Sequence, residues 1–212
     1  MNEKQQLLEE LKKEMEANGS LPLADISNFV FGEGNPDSEV CFIGEAPGFH
    51  ENQQKRPFVG LAGKLLDKLL GEINWPRESV YITNIVKRRP PENRDPLPEE
   101  IASYAPYLKR QIEILEPNII ATLGRFSMNY FLPDAKISRD RGRLFRANSY
   151  FIYPLYHPAA ALRSTNVLEE LRKDFRRLPH AVERAKNGGV IKEEIQVQSK
   201  PEEDQNKQSS LF

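Results

Sequence analysis

Cysteine is nearly missing from this sequence: Cys41 is the only one in 212 residues. An internal disulfide is excluded, and so is any cluster held by several cysteines of one chain. Long apolar runs are missing as well, and none approaches the ~20 residues that a membrane-spanning helix requires. The opening stretch, MNEKQQLLEELKKEMEAN, is charged throughout and holds no apolar segment of the kind a secretory signal needs. These absences predict a cytoplasmic or nucleoid setting and no membrane partner. There is also no excess of charge of either sign, since 30 Lys and Arg stand against 31 Asp and Glu. Two phosphate-binding signatures are absent: no G-x-G-x-x-G opens a helix, and no G-x-x-x-x-G-K-[ST] occurs.

The near-zero total conceals a division. Residues 1–18 carry three Lys and five Glu, and residues 187–212 carry three Lys and five acids, so the intervening segment is basic by about three charges. Its Lys and Arg gather at KRRPPENR (87–94), SRDRGRLFR (138–146) and LRKDFRR (171–177). Any one cluster is an ordinary solvated surface; three in one domain suit a nucleic-acid partner better.

Hydrophobic periodicity orders the rest. Leu7, Leu8, Leu11 and Met15 recur at helical spacing and predict a helix over 3–17, which NGSLPLAD then breaks. Apolar runs rich in β-formers predict buried strands at 39–44, 79–86, 117–124 and 149–158. Helical patterns occupy 60–73, 97–115, 125–131 and 167–185, the second with Pro106 as a candidate kink point. Strands alternating with helices predict an α/β fold, a three-layer α/β/α sandwich around a mainly parallel four-stranded sheet. Sites in such sheets gather at the carboxyl ends of the strands. GEAPG follows the first strand, TN ends the second and YHP follows the fourth, so three polar clusters share one edge. The glycine-rich first loop is a poor phosphate cradle, because Glu45 would repel a pyrophosphate and Pro47 stiffens the turn.

Three segments, GEAPGFHENQQKRPFVGLAGKLLD (44–67), YITNIVKRRPPENRDP (81–96) and YHPAAALR (156–163), resemble the blocks of the family 4 uracil-DNA glycosylases in their order. FGEGNP (31–36) is similar to the lead-in of that family's first strand, and the likeness spans roughly residues 28–165. The resemblance implies the uracil-DNA glycosylase fold and a monofunctional enzyme that hydrolyses the N-glycosidic bond of uracil in DNA, opening base excision repair. One departure is large. Members of the family typically hold a 4Fe–4S cluster through four cysteines, and the third and fourth positions here carry Arg88 and Tyr104, while the first two fall near Ala17 and Ser20. The sequence therefore reads as a member without the cluster and without any cofactor. Arg88 and Tyr104 are expected to fill the gap by packing, with a cation–π contact worth about 0.5–2 kcal/mol.

Breaking this bond leaves oxocarbenium character on the sugar and negative charge on uracil O2, so the catalyst needs an activated water or an anion on one side and a donor to the base on the other. The base must first leave the stack. By the resemblance Glu45 takes the first role and His157 the second. Asn84 is implied to read uracil O4 and N3–H, Phe58 to stack on the ring, the Ala46 backbone N–H to donate to base or water, and Glu51 to stand near C5. Leu162 is implied to wedge into the minor groove and Arg163 to contact phosphate, with Lys87, Arg89 and Arg94 along the DNA backbone and Asn93 shaping their loop. His50 and His180 match no position with an assigned role.

From 187 onward the chain is polar and acidic, and it is expected to be a disordered tail on a domain of residues 1–186. It ends in KQSSLF, which resembles the Q-x-x-L-F peptide that docks repair proteins on a sliding clamp, with Gln208 for orientation and Leu211 and Phe212 for an apolar pocket. A monomer is expected. Two other readings stay open: a non-catalytic uracil- or DNA-binding adaptor tethered to the clamp, and a glycosylase whose base specificity is shifted by Phe49 and His50.

Overall fold

The computed structural model describes residues 2–147 and 149–188. In chain order its elements are α1 (Glu3–Ala17), β1 (Glu33–Gly34), β2 (Val40–Gly44), α2 (Phe49–Gln54), α3 (Leu61–Glu72), β3 (Tyr81–Asn84), α4 (Pro98–Leu115), β4 (Ile119–Leu123), α5 (Arg125–Phe131), α6 (Ile137–Asp140), β5 (Phe145–Ala147), β6 (Tyr150–Leu155), α7 (Pro158–Ala161) and α8 (Thr165–Lys186). Two short 3-10 turns, Arg77–Ser79 and Pro91–Asn93, precede β3 and α4.

The sheet runs β1-β3-β2-β4-β6-β5. Its four central strands are parallel, as the alternation of strands and helices predicts, and each edge adds a short antiparallel strand. The expected four-stranded sheet is thus corrected to six. β1 and β5 are two and three residues long, too short to show a period of two in the sequence.

Alternating side chains divide the core into two layers. On one face Val40 and Phe42 meet Leu66, Leu69 and Leu70 of α3 and Phe175 and Leu178 of α8. On the other, Cys41 and Ile43 meet Leu8, Leu11 and Met15 of α1 and Tyr104, Leu108 and Ile112 of α4. Each such large apolar side chain contributes roughly 1.5–3 kcal/mol by leaving water. The α1 stripe is narrower than the sequence pattern predicts, since Leu7 is exposed. α4 passes through Pro106 as one helix. Among the described residues no helix is long and apolar enough to cross a membrane. The consequence for function lies in strand direction: β2, β3, β4 and β6 all point their carboxyl ends to one edge, and the loops after them meet there.

Candidate active site

At that edge lies a cavity of about 680 Å³. Glu45, Ala46, Glu51, Phe58, Asn84, Arg94, His157 and Arg163 all line it. The carboxylate, the amide and the imidazole, drawn from three distant segments, therefore face one space.

The site starts from the pairing of Gly44 with Asn84 across β2 and β3. The amides of Ile85 and Val86 continue that pairing onto the carbonyls of Gly44 and Glu45 at 3.0 Å each. A Cβ on Gly44 would stand 2.5 Å from Asn84 Oδ1 and 2.5 Å from Phe58 Cζ, so only glycine lets the amide and the ring come this close to the strand. Asn84 is 2 % exposed, and its Oδ1 is buried with no hydrogen-bond donor. An acceptor in that state costs free energy until a ligand donates to it.

Phe58 has φ of 49°, a left-handed conformation that a bulky side chain adopts only when its surroundings impose it. Two groups impose it. Glu51 Oε1 accepts the amides of Val59 and Gly60 at 2.8 Å each. Arg77 donates to the carbonyls of Pro57 and Phe58 at 2.5 and 3.1 Å and is itself held by Asp67 and Glu33. The ring is thereby fixed 5.7 Å from the His157 imidazole, centroid to centroid.

His157 caps α7, and its Nδ1 accepts the Ala159 amide at 3.1 Å. That bond requires an unprotonated Nδ1, so in the neutral ring the proton sits on Nε2. Burial pushes its pKa down to about 4, against a smaller opposite pull from Glu51, and the ring is neutral at physiological pH. Glu45 shows the opposite displacement: burial first, then the nearby Asp95 carboxylate, push it up to about 7, while Arg125 pulls it down. Asp95 and Arg125 form an ion pair of 3.0 Å at the cavity rim.

The basic residues divide. Arg163 reaches the cavity from an exposed position, and Leu162 stands half exposed beside it. Arg89 bonds Asn93 at 2.7 Å and covers the Phe49 ring. Arg94 makes two bonds to Glu100, at 2.9 and 2.5 Å, which tie the second loop to α4. Lys87 corrects the sequence reading. It is fully buried and bonds Thr83, Asn84 and Gln111, so it does not lie along DNA. Its sequence neighbours are cationic loop residues, but three and four positions after Asn84 and Thr83 its chain folds back under β3. The sequence reading misses Arg77, Asp95 and Arg125. The last follows Gly124 at the end of β4, where the strand-end rule alone points to a site residue.

The residues at the cluster positions do not fit a cysteine-ligated group. Cys41 lies in β2, and burial pushes its thiol up to about 12. The Tyr104 hydroxyl donates to the Pro22 carbonyl at 2.7 Å, and Arg88 bonds the Ser27 carbonyl at 2.5 Å. Arg88 also bears on the Tyr104 hydroxyl, but its ring contact, at 5.4 Å, is with Phe29. The expected cation–π pairing thus has a different aromatic partner. Gln208, Leu211 and Phe212, the candidate clamp-binding residues, lie outside the described residues.

A sequence profile of the Uracil DNA glycosylase superfamily matches residues 31–178. The Type-4 uracil-DNA glycosylase of Saccharolobus solfataricus is 47% identical over 165 residues, 73% of this chain and 76% of that protein. Its counterpart in Sulfurisphaera tokodaii is 45% identical over 162 residues, covering 72% and 74%. That of Archaeoglobus fulgidus is 43% identical over 161 residues, covering 72% and 81%.

Proposed function

The chain belongs to the uracil-DNA glycosylase superfamily, and from that premise we propose how its own residues remove uracil from DNA. It is a glycosylase that binds DNA and hydrolyses the bond between uracil N1 and deoxyribose C1′. The base, turned out of the stack, enters the cavity and lies against Phe58. Asn84 Oδ1 accepts from N3–H while its amide nitrogen donates to O4. Cytosine offers a bare N3 and an amino group at the same edge, which would leave the buried Oδ1 unpaired. That unpartnered oxygen is the observation that carries the reading.

As the C1′–N1 bond breaks, its electron pair goes to the base and negative charge spreads to O2. His157 Nε2–H donates to that oxygen. A neutral imidazole suffices, because the hydrogen bond strengthens as the charge develops. Water adds to C1′ from the other side, and Glu45 accepts its proton. With a pKa near 7 Glu45 is a competent base and half ionised at neutral pH. Glu51 acts by holding the Phe58 turn and fills space beside the base where a C5 methyl would project. Arg163 and Arg89 are assigned to phosphate and Leu162 to the vacated stack.

The test is single-turnover cleavage of a uracil-containing oligonucleotide, read as alkali-sensitive breaks. Asn84→Ala and His157→Ala should each lose roughly 10²–10³-fold while remaining folded. Wild-type rates in both would remove the assignments. The adaptor reading requires binding without cleavage, and the family membership does not support it. The terminal KQSSLF is proposed to dock on a sliding clamp; deleting residues 208–212 should abolish clamp capture and spare oligonucleotide cleavage, and undiminished capture would defeat that part.

A further inference from the structure

Directly behind the base-reading Asn84 sits a cation that the chemistry above does not use. Lys87 Nζ donates to Thr83 Oγ1 at 2.6 Å, to the Asn84 backbone carbonyl at 2.8 Å and to Gln111 Oε1 at 2.6 Å. All three partners act toward it as acceptors. The Thr83 hydroxyl spends its own hydrogen on the Phe31 carbonyl at 2.7 Å. The Gln111 amide nitrogen faces Phe31 O and the Tyr81 hydroxyl, which turns its oxygen toward Lys87. Three acceptors are satisfied by an ammonium and not by a neutral amine, which has two hydrogens. Among the described residues no carboxylate pairs with it; its other neighbours are the Cys41 thiol and the Phe31 ring, 6.0 Å away. Burial pushes the lysine down to about 7, Cys41 pulls weakly the other way, and the three acceptors oppose the fall by bonding the charged form.

A buried charge without a counter-ion is costly. We propose that Lys87 is an electrostatic positioning residue: its ammonium fixes Asn84 through the backbone carbonyl and sets a positive field behind the amide that favours the departing uracil anion. The inference rests on Asn84 being the residue that reads the base. In the ground state uracil is neutral and gains little from this field. In the transition state the charge reaching O4 and O2 gains more, so the effect belongs to kcat and not to KM.

The test compares two leaving groups on one oligonucleotide, uracil and 5-fluorouracil, whose anion is intrinsically more stable and needs less help. Gln111→Glu keeps the acceptor beside Nζ and supplies the missing counter-charge. It should lower the single-turnover rate on uracil by roughly 10-fold, and on 5-fluorouracil by clearly less, with KM unchanged. Lys87→Met should behave alike where it folds; Gln111→Glu carries the test where it does not. Equal losses on both bases would mean that Lys87 is only structural, and an unchanged uracil rate in Gln111→Glu would overturn the proposal outright. A failure of the underlying reading is seen separately, as an undiminished uracil rate in Asn84→Ala.

Discussion

One wall of the cavity is dry and the other is wet. Phe58 and Asn84 are 5 % and 2 % exposed, and the conformations around them are fixed by supporting groups. Glu51 and Arg77 hold the Phe58 turn, the Ala159 amide holds His157, and Lys87 holds Asn84. The same cavity is also lined by Glu45, which is half-buried, and by Asp95 and Arg125, whose side chains are 63 % and 65 % exposed. Fixed donors and acceptors suit a base that must be told from its near-isosteres, because a locked amide cannot turn to accept the wrong edge. A titrating carboxyl suits water, whose proton must be taken and later released. In the proposed mechanism the dry wall reads the base and the wet wall does proton chemistry, and each can be broken separately.

The largest effect belongs to the dry wall. Gly44→Ala places a methyl against both Asn84 and Phe58, neither of which can yield without shifting in the cavity wall. Single-turnover cleavage should fall by ~10²-fold or more, since misplacing a reactant by about 1 Å costs that much. Abasic-site yield from the same oligonucleotide measures it, and circular dichroism confirms that the sheet persists. A variant with near-normal rates would mean that the wall is softer than its contacts imply.

Glu45→Gln should cost about 10²-fold in kcat, and it should also stabilise the protein at alkaline pH. The sign follows from the raised pKa. A carboxyl near 7 in the folded chain against 4.5 in the unfolded one binds its proton more tightly when folded. Its stabilising contribution is fully present below 4.5 and is lost as pH rises through 7. Above pH 7 the folded state holds an ionised, partly desolvated carboxylate that glutamine removes. With allowance for the water reaching this wall, the gain is about 1 kcal/mol at pH 8 and near zero at pH 4. Thermal melts at the two pH values check it. The same ionisation should give wild-type activity an acid limb near 7, and His157 should add no limb between 5 and 8 because burial keeps that ring neutral.

Legibility in the sequence follows the same division. Glu45, Asn84 and His157 stand in short motifs at strand ends, where residue type and topology agree, Phe58 stands in the RPFVG motif between α2 and α3, and all four line the cavity. α1 and α5 have the predicted bounds, α1 because Leu8, Leu11 and Met15 recur at helical spacing and α5 because it starts directly after Gly124 at the end of a strand. What supports the dry wall leaves no such trace. Arg77 sits in a 3-10 turn 19 residues beyond the Phe58 carbonyl it holds, and no local pattern links them. Lys87 resembles its neighbours Arg88 and Arg89, and only the fold decides that its chain turns under β3 instead of outward. α2 and α6, of six and four residues, fall below the length at which periodicity speaks. Motifs thus name the groups that face the cavity, and the groups that hold them still emerge only when distant segments are brought together.

The smallest effect is the sharpest test of the wet wall, because its sign can be reversed. Asp95 raises the Glu45 pKa and Arg125 lowers it, and the two are paired to each other. Asp95→Asn removes the repulsion and leaves Arg125 free to act on Glu45, so the acid limb should move to lower pH. At pH 6 that variant should cleave roughly 2–5-fold faster than wild type, with the plateau above pH 8 unchanged. Arg125→Gln should move the limb the other way and slow cleavage at pH 6 by a similar factor. Arg125 is an exposed cation at the cavity rim, and single-turnover rates at saturating enzyme separate any effect of its replacement on DNA binding from the effect on Glu45. Limbs that shift together, or not at all, would show that an ionisation other than Glu45 controls the water, and that the wet wall is a surface and not a base.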